Sequence, residues 1–302
     1  MKIAVIGLGR MGFGIASRLV RGGHTVVGFD PDATARGHAR QAGISVITGL
    51  DELPTDCVAI WLMVPAGNLI DTIVQELIKV VAPKTIIIDG GNSLFKDSIR
   101  RAQDLALHDI FYLDCGTSGG IHGLTHGFCL MVGGDLKAYH TVLPALEVIA
   151  APHGVAHVGP SGAGHYVKMV HNGIEYGILQ AYAEGFQLLK EGDFGAELDL
   201  HQIAALWQEG SVIRSFMLGL AKNIFTEDQS LNHISGAIGE NGTGRWTLDN
   251  AHMHNVPAPV LAAALQVRKE SRDTGGTYAT KVVALLREQF GGHPVVRIDV
   301  KK

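Results

Sequence analysis

Along the first half of the chain, short apolar runs alternate with stretches whose apolar residues recur every three to four positions. "KIAVIG" (2–7), "TVVGFD" (25–30), "SVI" (45–47), "CVAIWLMV" (57–64), "TIIIDGG" (85–91), "FYLDC" (111–115) and "FCLMVGG" (128–134) read as strands. They are almost continuously apolar, the pattern of strands covered by helices on both faces. After "VGPSGAGH" (158–165) the texture changes, and helical spacing governs 165–190, 199–209, 212–223, a segment around 230–252, 257–272 and 276–290. Ser161 is placed to cap the first of these helices. The pattern predicts an α/β Rossmann domain over 1–162, with a mostly parallel, doubly wound sheet. An all-α domain over 163–302 follows, ending in a tail, "HPVVRIDVKK".

One helix departs from its apolar pattern. In "KMVHNGIEYG" (168–177), Lys168, His171, Asn172 and Glu175 sit at offsets 0, 3, 4 and 7 and form one stripe. Met169, Val170, Ile174 and Ile178 lie on the other sides, and the helix continues as "GILQAYAEGFQLL". The expectation is that apolar packing leaves little of this helix to solvent, so the stripe lines a cavity. A lysine there becomes a base when desolvation or neighbours depress its pKa, and Glu175, two turns on, can act as the acid.

A third pattern lies at the first strand–helix junction. "VIGLGRMGFGIASRL" places Gly7, Gly9 and Gly12 in a GxGxxG turn, with Leu8, Arg10 and Met11 between them. The turn follows a strand and opens an amphipathic stretch, and a second strand ends in Asp30, which together make a dinucleotide fingerprint. The helix N-terminus offers amides to a pyrophosphate. Asp30 would accept from the ribose hydroxyls and repel a 2′-phosphate, so the expected cofactor is NAD, with NADP the less favoured choice. Arg36 is the one nearby cation that bears on that choice.

Composition narrows the class. Glycine, at 39 residues of 302, is frequent without forming tracts, so glycines must serve turns and close contacts. The net charge of −4 argues against a general nucleic-acid binder, and no apolar run is long enough to span a membrane. Cys57, Cys115 and Cys129 lack metal-ligand or CxxC spacing and suit a reducing, cytoplasmic setting. No His/Asp/Glu set shows clear metal spacing, so no metal is expected.

Five segments in order, "DGGNS" (89–93), "DCGTSGG" (114–120), "KMVHNGIEYG", "GTGRWT" (242–247) and "REQFGGH" (287–293), resemble the decarboxylating 6-phosphogluconate dehydrogenases. The resemblance runs from the first strand to the C-terminal tail and suggests the short form of that family. It implies oxidative decarboxylation of 6-phosphogluconate to ribulose 5-phosphate, a step of the pentose phosphate pathway or of gluconate breakdown. Lys168 would be the base and Glu175 the acid, with His171 and Asn172 holding substrate hydroxyls. Ser118, Gly119 and Gly120 would bind the substrate carboxylate, a reasonable anion nest. Tyr176, Thr243, Arg268, Arg287 and His293 would hold the 6-phosphate. Asn92 would serve substrate and cofactor, and Val64, Pro65 and Ala66 would flank the cofactor. The resemblance also implies self-association, as dimer or tetramer, with the tail of one subunit completing a neighbouring site.

Two positions depart from the family pattern. Asn241 stands where a lysine is common, which removes a cation for which Arg245 could compensate. Asp30, Pro31 and Asp32 stand where long, NADP-using members carry Asn-Arg-Thr. Other readings stay open: another β-hydroxyacid dehydrogenase acting, for example, on 3-hydroxyisobutyrate; an imine reductase, which would usually lack the lysine; and a nucleotide-sensing scaffold without turnover.

Overall fold

The computed structural model describes residues 1–298; the last four residues of the tail expected from sequence, 299–302, lie outside the described residues. The backbone forms two compact units, Met1–Met169 and the remainder from Val170 on.

The first unit is an eight-stranded sheet. Its strands are β1 (Lys2–Ile6), β2 (Thr25–Phe29), β3 (Ser45–Val46), β4 (Ala59–Leu62), β5 (Ile86–Asp89), β6 (Phe111–Ser118), β7 (Phe128–Gly134) and β8 (Ala150–Gly159), in the order β3-β2-β1-β4-β5-β6-β7-β8. All neighbours are parallel except β6 and β7. Alternate residues of each strand enter opposite cores. Ile3, Val5, Trp61, Ile86 and Ile88 pack with Ile15 and Leu19 of α1 (Arg10–Arg21), whereas Ala4, Ile6, Ile60, Leu62 and Ile87 pack with Ile70, Ile73 and Leu77. This two-sided burial explains why these strands read as continuous apolar runs.

Strand β8 escapes the sequence pattern. It is only half-buried and carries Pro152, two histidines and two glycines, the composition of a sheet edge rather than a core strand.

The helices covering the sheet include α2 (Ala33–Gln41), α3 (Asn68–Leu77), α4 (Phe95–Ala106), α5 (Gly123–His126) and α6 (Leu136–Ile149). A long helix, α7 (Ala163–Glu191), leaves the sheet unit and supplies the first element of the second. Its cap differs from the sequence expectation. Asp114 on β6, not Ser161, accepts from the first-turn amides, from Gly162 at 2.6 Å and His165 at 2.9 Å.

The second unit continues with α8 (Leu200–Gln208), α9 (Phe216–Glu227), α10 (Thr243–Met253), α11 (Pro259–Thr274) and α12 (Tyr278–Gly291). Its core gathers Leu179, Ala183 and Phe186 of α7 with Leu218, Ile224, Val282 and Leu286. The helix expected around 230–252 is shorter by half. Residues 228–242 are turns, held where the Asp228 carboxylate accepts from the amides of Ser230 and Leu231, and Gly236, Gly239 and Gly242 interrupt any helical run. Helix α9 begins at Phe216 rather than 212, because Ser215 caps it through the Leu218 amide.

Residues 295–298 lie beside 233–235 of the same chain. Ser235 N–H donates to the Val296 carbonyl, Ile298 N–H donates to His233, and Arg297 pairs with Glu288. Among the described residues no helix is long and apolar enough to cross a membrane.

Candidate functional site

In the sheet unit, the expected cofactor residues gather at the C-terminal ends of β1, β2, β4 and β5. Gly7 adopts φ +91°, a conformation that strains any side chain, and a Cβ there would overlap the Met63 carbonyl. A Cβ on Gly12 would overlap the Gly7 carbonyl, so both positions are bound to glycine by the turn itself. Gly9 differs: its Cβ would meet nothing within 4 Å. That open space lies at the N-terminus of α1, where amides await an anion.

Asp30 ends β2, and its carboxylate accepts the Leu8 N–H at 2.7 Å and the Asp32 N–H at 2.8 Å. Each oxygen keeps lone pairs for a diol. Arg36 turns its guanidinium to the carbonyls of Asp30 and Pro31, at 2.6 and 3.0 Å, and is committed to them. An open cleft of about 640 Å³ adjoins this turn, lined among others by Leu8, Gly9, Arg10, Asp32 and Ala35. It also brings in Phe13, Thr34 and His38, which sequence reasoning missed; Phe13 stands one helical turn after Gly9, and His38 one turn after Thr34.

Pro65 and Ala66 are exposed beyond β4, and Asn92 is exposed beyond β5. Their loops share one anchor. Buried Arg101 of α4 donates to the Gly67 carbonyl at 3.1 Å and to both oxygens of Asp71, and lies 3.7 Å from Asp89. Asp89 accepts from the Gly91 amide, the Ser93 hydroxyl and the Tyr112 hydroxyl. Burial, and then the Asp89 charge, raise the Tyr112 pKa well above its ordinary value, so the phenol stays a donor. Arg101 and Asp89 were not singled out by sequence; an arginine on a helix reads as a solvated residue until the fold buries it.

Ser118 ends β6, and Gly119 and Gly120 follow it with φ +129° and +51°. Both values lie where glycine is favoured over any residue with a side chain. Lys168, on the second turn of α7, is buried in this same unit.

Further along α7, in the helical unit, Asn172 is buried and accepts at 3.1 Å from His171 Nδ1 when that nitrogen is protonated, and Glu175 is half-buried. The expectation that α7 is enclosed by apolar packing fails on one flank. Ile174 and Ile178 are 61% and 43% exposed.

The remaining expected residues of the helical unit form a cluster. Tyr176 donates to Asn241 Oδ1 at 3.1 Å, and Thr243 Oγ1 donates to the same oxygen at 2.8 Å. Arg268, a lone arginine on a helix by sequence, is 1% exposed and lies flat on the Tyr176 ring. Both of its terminal nitrogens are buried with no hydrogen-bond partner. Burial pushes its pKa down to about 10; Arg287 adds to the depression, while Tyr176, Glu175 and Glu240 oppose it. Arg287 on α12 is also buried, and burial lowers its pKa too. Glu240 is shared between Arg272 at 3.5 Å and Arg245 at 3.8 Å. Two buried cations with too little counter-charge make a site for an anion. His293 follows α12, its amide on the Arg287 carbonyl. Among the described residues no group of three or more His, Cys, Asp or Glu is arranged to hold a metal ion.

The chain matches two family models: the NAD binding domain of 6-phosphogluconate dehydrogenase over residues 2–159, and the 6-phosphogluconate dehydrogenase C-terminal domain over 164–290. It is 43% identical over 305 aligned positions to the NAD(+)-dependent, decarboxylating 6-phosphogluconate dehydrogenase of Haloferax volcanii, covering 99% of this chain and 100% of that protein. It is 34% identical to the NADP(+)-dependent enzyme of Bacillus subtilis, covering 88% of this chain and 60% of that one. Among solved structures, Plasmodium falciparum 6-phosphogluconate dehydrogenase, studied with NADP+ and with 6-phosphogluconate, aligns with a TM-score of 0.82 at 29% identity. That alignment covers 90% of this chain and 62% of the parasite protein.

Proposed function

The chain belongs to the 6-phosphogluconate dehydrogenase family, and from that premise we propose that it converts 6-phosphogluconate and NAD to ribulose 5-phosphate, carbon dioxide and NADH. The observation that carries the substrate is Arg268. Its buried, unpartnered terminal nitrogens beside Arg287 call for a strongly anionic group whose oxygens accept in pairs from a guanidinium fork, which a phosphate supplies. Tyr176, Thr243 and His293 complete the proposed phosphate set, and Ser118, Gly119 and Gly120 take the carboxylate.

NAD, when bound, provides a nicotinamide that accepts a hydride. The chain's own part begins at Lys168, which takes the proton of the C3 hydroxyl as that carbon loses hydride. The 3-keto acid then breaks its C1–C2 bond, and the electron pair flows toward the ketone, where cationic Lys168 balances the developing oxygen charge. Glu175 delivers a proton to C1 of the enediol. Atoms and charge balance, since the proton lost from the hydroxyl offsets the one gained at carbon. His171, Asn172 and Asn92 hold hydroxyl groups. Gly7, Leu8, Gly9, Arg10, Met11 and Gly12 cradle the cofactor phosphates, with Asp30 on the ribose diol and Val64, Pro65 and Ala66 along the cofactor's flank.

Self-association belongs to the same proposal. Ile174 and Ile178 of α7 and Val260 of α11 are open in one chain, and Gly177 brings α7 close to Val260. A second copy of the chain would cover this face, giving a dimer or tetramer. Three free cysteines accord with a cytoplasmic setting.

Comparing kcat/KM for 6-phosphogluconate and for gluconate tests the reading. The proposal requires at least a hundredfold preference for the phosphorylated acid. Equal use of both, or a preference for 3-hydroxyisobutyrate, would move the chain to another β-hydroxyacid dehydrogenase activity.

A further inference from the structure

Lys168 must stand at a fixed height beside the segment that takes the substrate carboxylate. Asp114, Gly116 and Ser118 are alternate residues of β6 and therefore line one face of the strand. Each of the first two meets α7. Asp114, fully buried, accepts two amides of its first turn, one on each carboxylate oxygen. The anion also lies at the positive end of a 29-residue helix. One step along the strand, Gly116 lies directly under Lys168, where a Cβ would overlap the lysine's own Cβ. Ser118 is the next residue on that face.

The helix cannot rise from the sheet or slide along it without losing these contacts. A Cβ on Gly164 would overlap the carbonyls of Asp114 and Met131, so α7 approaches the strands at backbone distance. Gly133 of β7 leaves room for the Gly164 amide, which a Cβ there would approach to 2.6 Å. A second anchor comes from α4, where the Ser98 hydroxyl lies 2.7 Å from Nδ1 of buried His165, one turn before Lys168.

We propose that Asp114 is a positioning residue for the reaction: by clamping the first turn of α7 to β6, it sets Lys168 in register with Ser118, Gly119 and Gly120. The inference rests on the function proposed above for Lys168 and for that turn. The Asp114→Asn variant keeps the volume but sets an amide N–H against one of the two backbone N–H groups. Gly116→Ala displaces Lys168 while leaving the clamp untouched.

Two measurements test it. The first is steady-state kinetics on 6-phosphogluconate. Both variants should lose kcat by roughly 10- to 100-fold, the scale of a misplaced reacting group. NAD affinity by calorimetry should stay within about twofold of wild type, since the clamp does not shape the nucleotide turn. The Asp114→Asn/Gly116→Ala double variant should lose little more than the worse single one, because both displace the same ammonium. The second reads Lys168 without substrate, as its rate of acylation by an amine reagent followed by peptide mass spectrometry. Labelling of this buried lysine should accelerate several-fold in both variants. Unchanged labelling, or folded variants that keep wild-type kcat, would overturn the proposal. Should Asp114→Asn not fold, Asp114→Ser, which keeps one acceptor oxygen for the helix amides, is read by the same two measurements. A wild-type enzyme inactive on 6-phosphogluconate would refute the functional reading instead, and the labelling rates would still judge the clamp.

Discussion

The guanidinium carbon of Arg268 lies 3.3 Å from the centre of the Tyr176 ring, stacked on it from a neighbouring helix. Arg268 is held by an aromatic face, not by a carboxylate, and both partners are buried. Cation–π attraction fixes the plane of the fork and leaves its edge for a ligand.

The charge at Arg268 therefore costs stability until an anion binds. Its folded pKa, about 10, lies below the ordinary arginine value, so the unfolded chain binds the proton more tightly. For such a base the penalty is fully present at neutral pH and is relieved only as pH rises above about 10 toward the ordinary arginine value. Arg268→Met should raise KM for 6-phosphogluconate at least a hundredfold while leaving the thermal midpoint unchanged or higher. Inorganic phosphate should raise the midpoint of the wild type but not of this variant. Arg268→Lys should not restore binding, because an ammonium neither forks nor stacks as a guanidinium does. Calorimetric scans with and without phosphate check these outcomes.

Lys168→Met should abolish hydride transfer with NAD binding preserved. Glu175→Gln should retain part of the hydride transfer and slow the protonation at C1. Stopped-flow NADH absorbance separates the two, and near-normal turnover by Lys168→Met would remove the mechanism.

Asp30→Asn should weaken NAD and improve NADP, each change being about 1–3 kcal/mol for the loss of a charged hydrogen bond. Arg36 is committed to two carbonyls and gives no ready counter-charge. Initial rates with both cofactors test this, and a wild-type KM lower for NADP than for NAD would show another cation overriding the aspartate.

The sheet was legible because its central strands are buried on both sides, and a run such as "IIID" can be little else. The nucleotide turn was legible because its glycines stand at fixed intervals from a strand. Strand β8 was not, since an edge strand has no need of an apolar pattern. Nor was the role of Asp114 or Arg101. Each is an ordinary charged residue in sequence, and only the packing of a distant segment, α7 for one and the β4 and β5 loops for the other, gives it a partner. Arg268 shows the same limit from the other side: its position followed from the family spacing, but its missing partner is a property of the folded helices.

Arg101→Met should accordingly raise KM for NAD about tenfold or more while changing kcat little, because one guanidinium steadies both loops expected to flank the cofactor. Equal losses in kcat and in NAD affinity would point to a wider collapse of the sheet edge.

Arg287 is buried within its own chain, and that burial lowers its pKa. Mixing Lys168→Met and Arg287→Ala chains after dissociation and reassociation should therefore recover no activity. Recovery, with subunit exchange confirmed by mass, would show that Arg287 serves a neighbouring site.

The central claim is a single turnover chemistry, oxidation coupled to loss of carbon dioxide, and its most direct test is stoichiometry. Purified enzyme given 6-phosphogluconate labelled at C1 and NAD should release one labelled carbon dioxide for each NADH formed, leaving unlabelled ribulose 5-phosphate. NADH formed with the label retained in a C6 keto acid, or no NADH at all, would contradict the account.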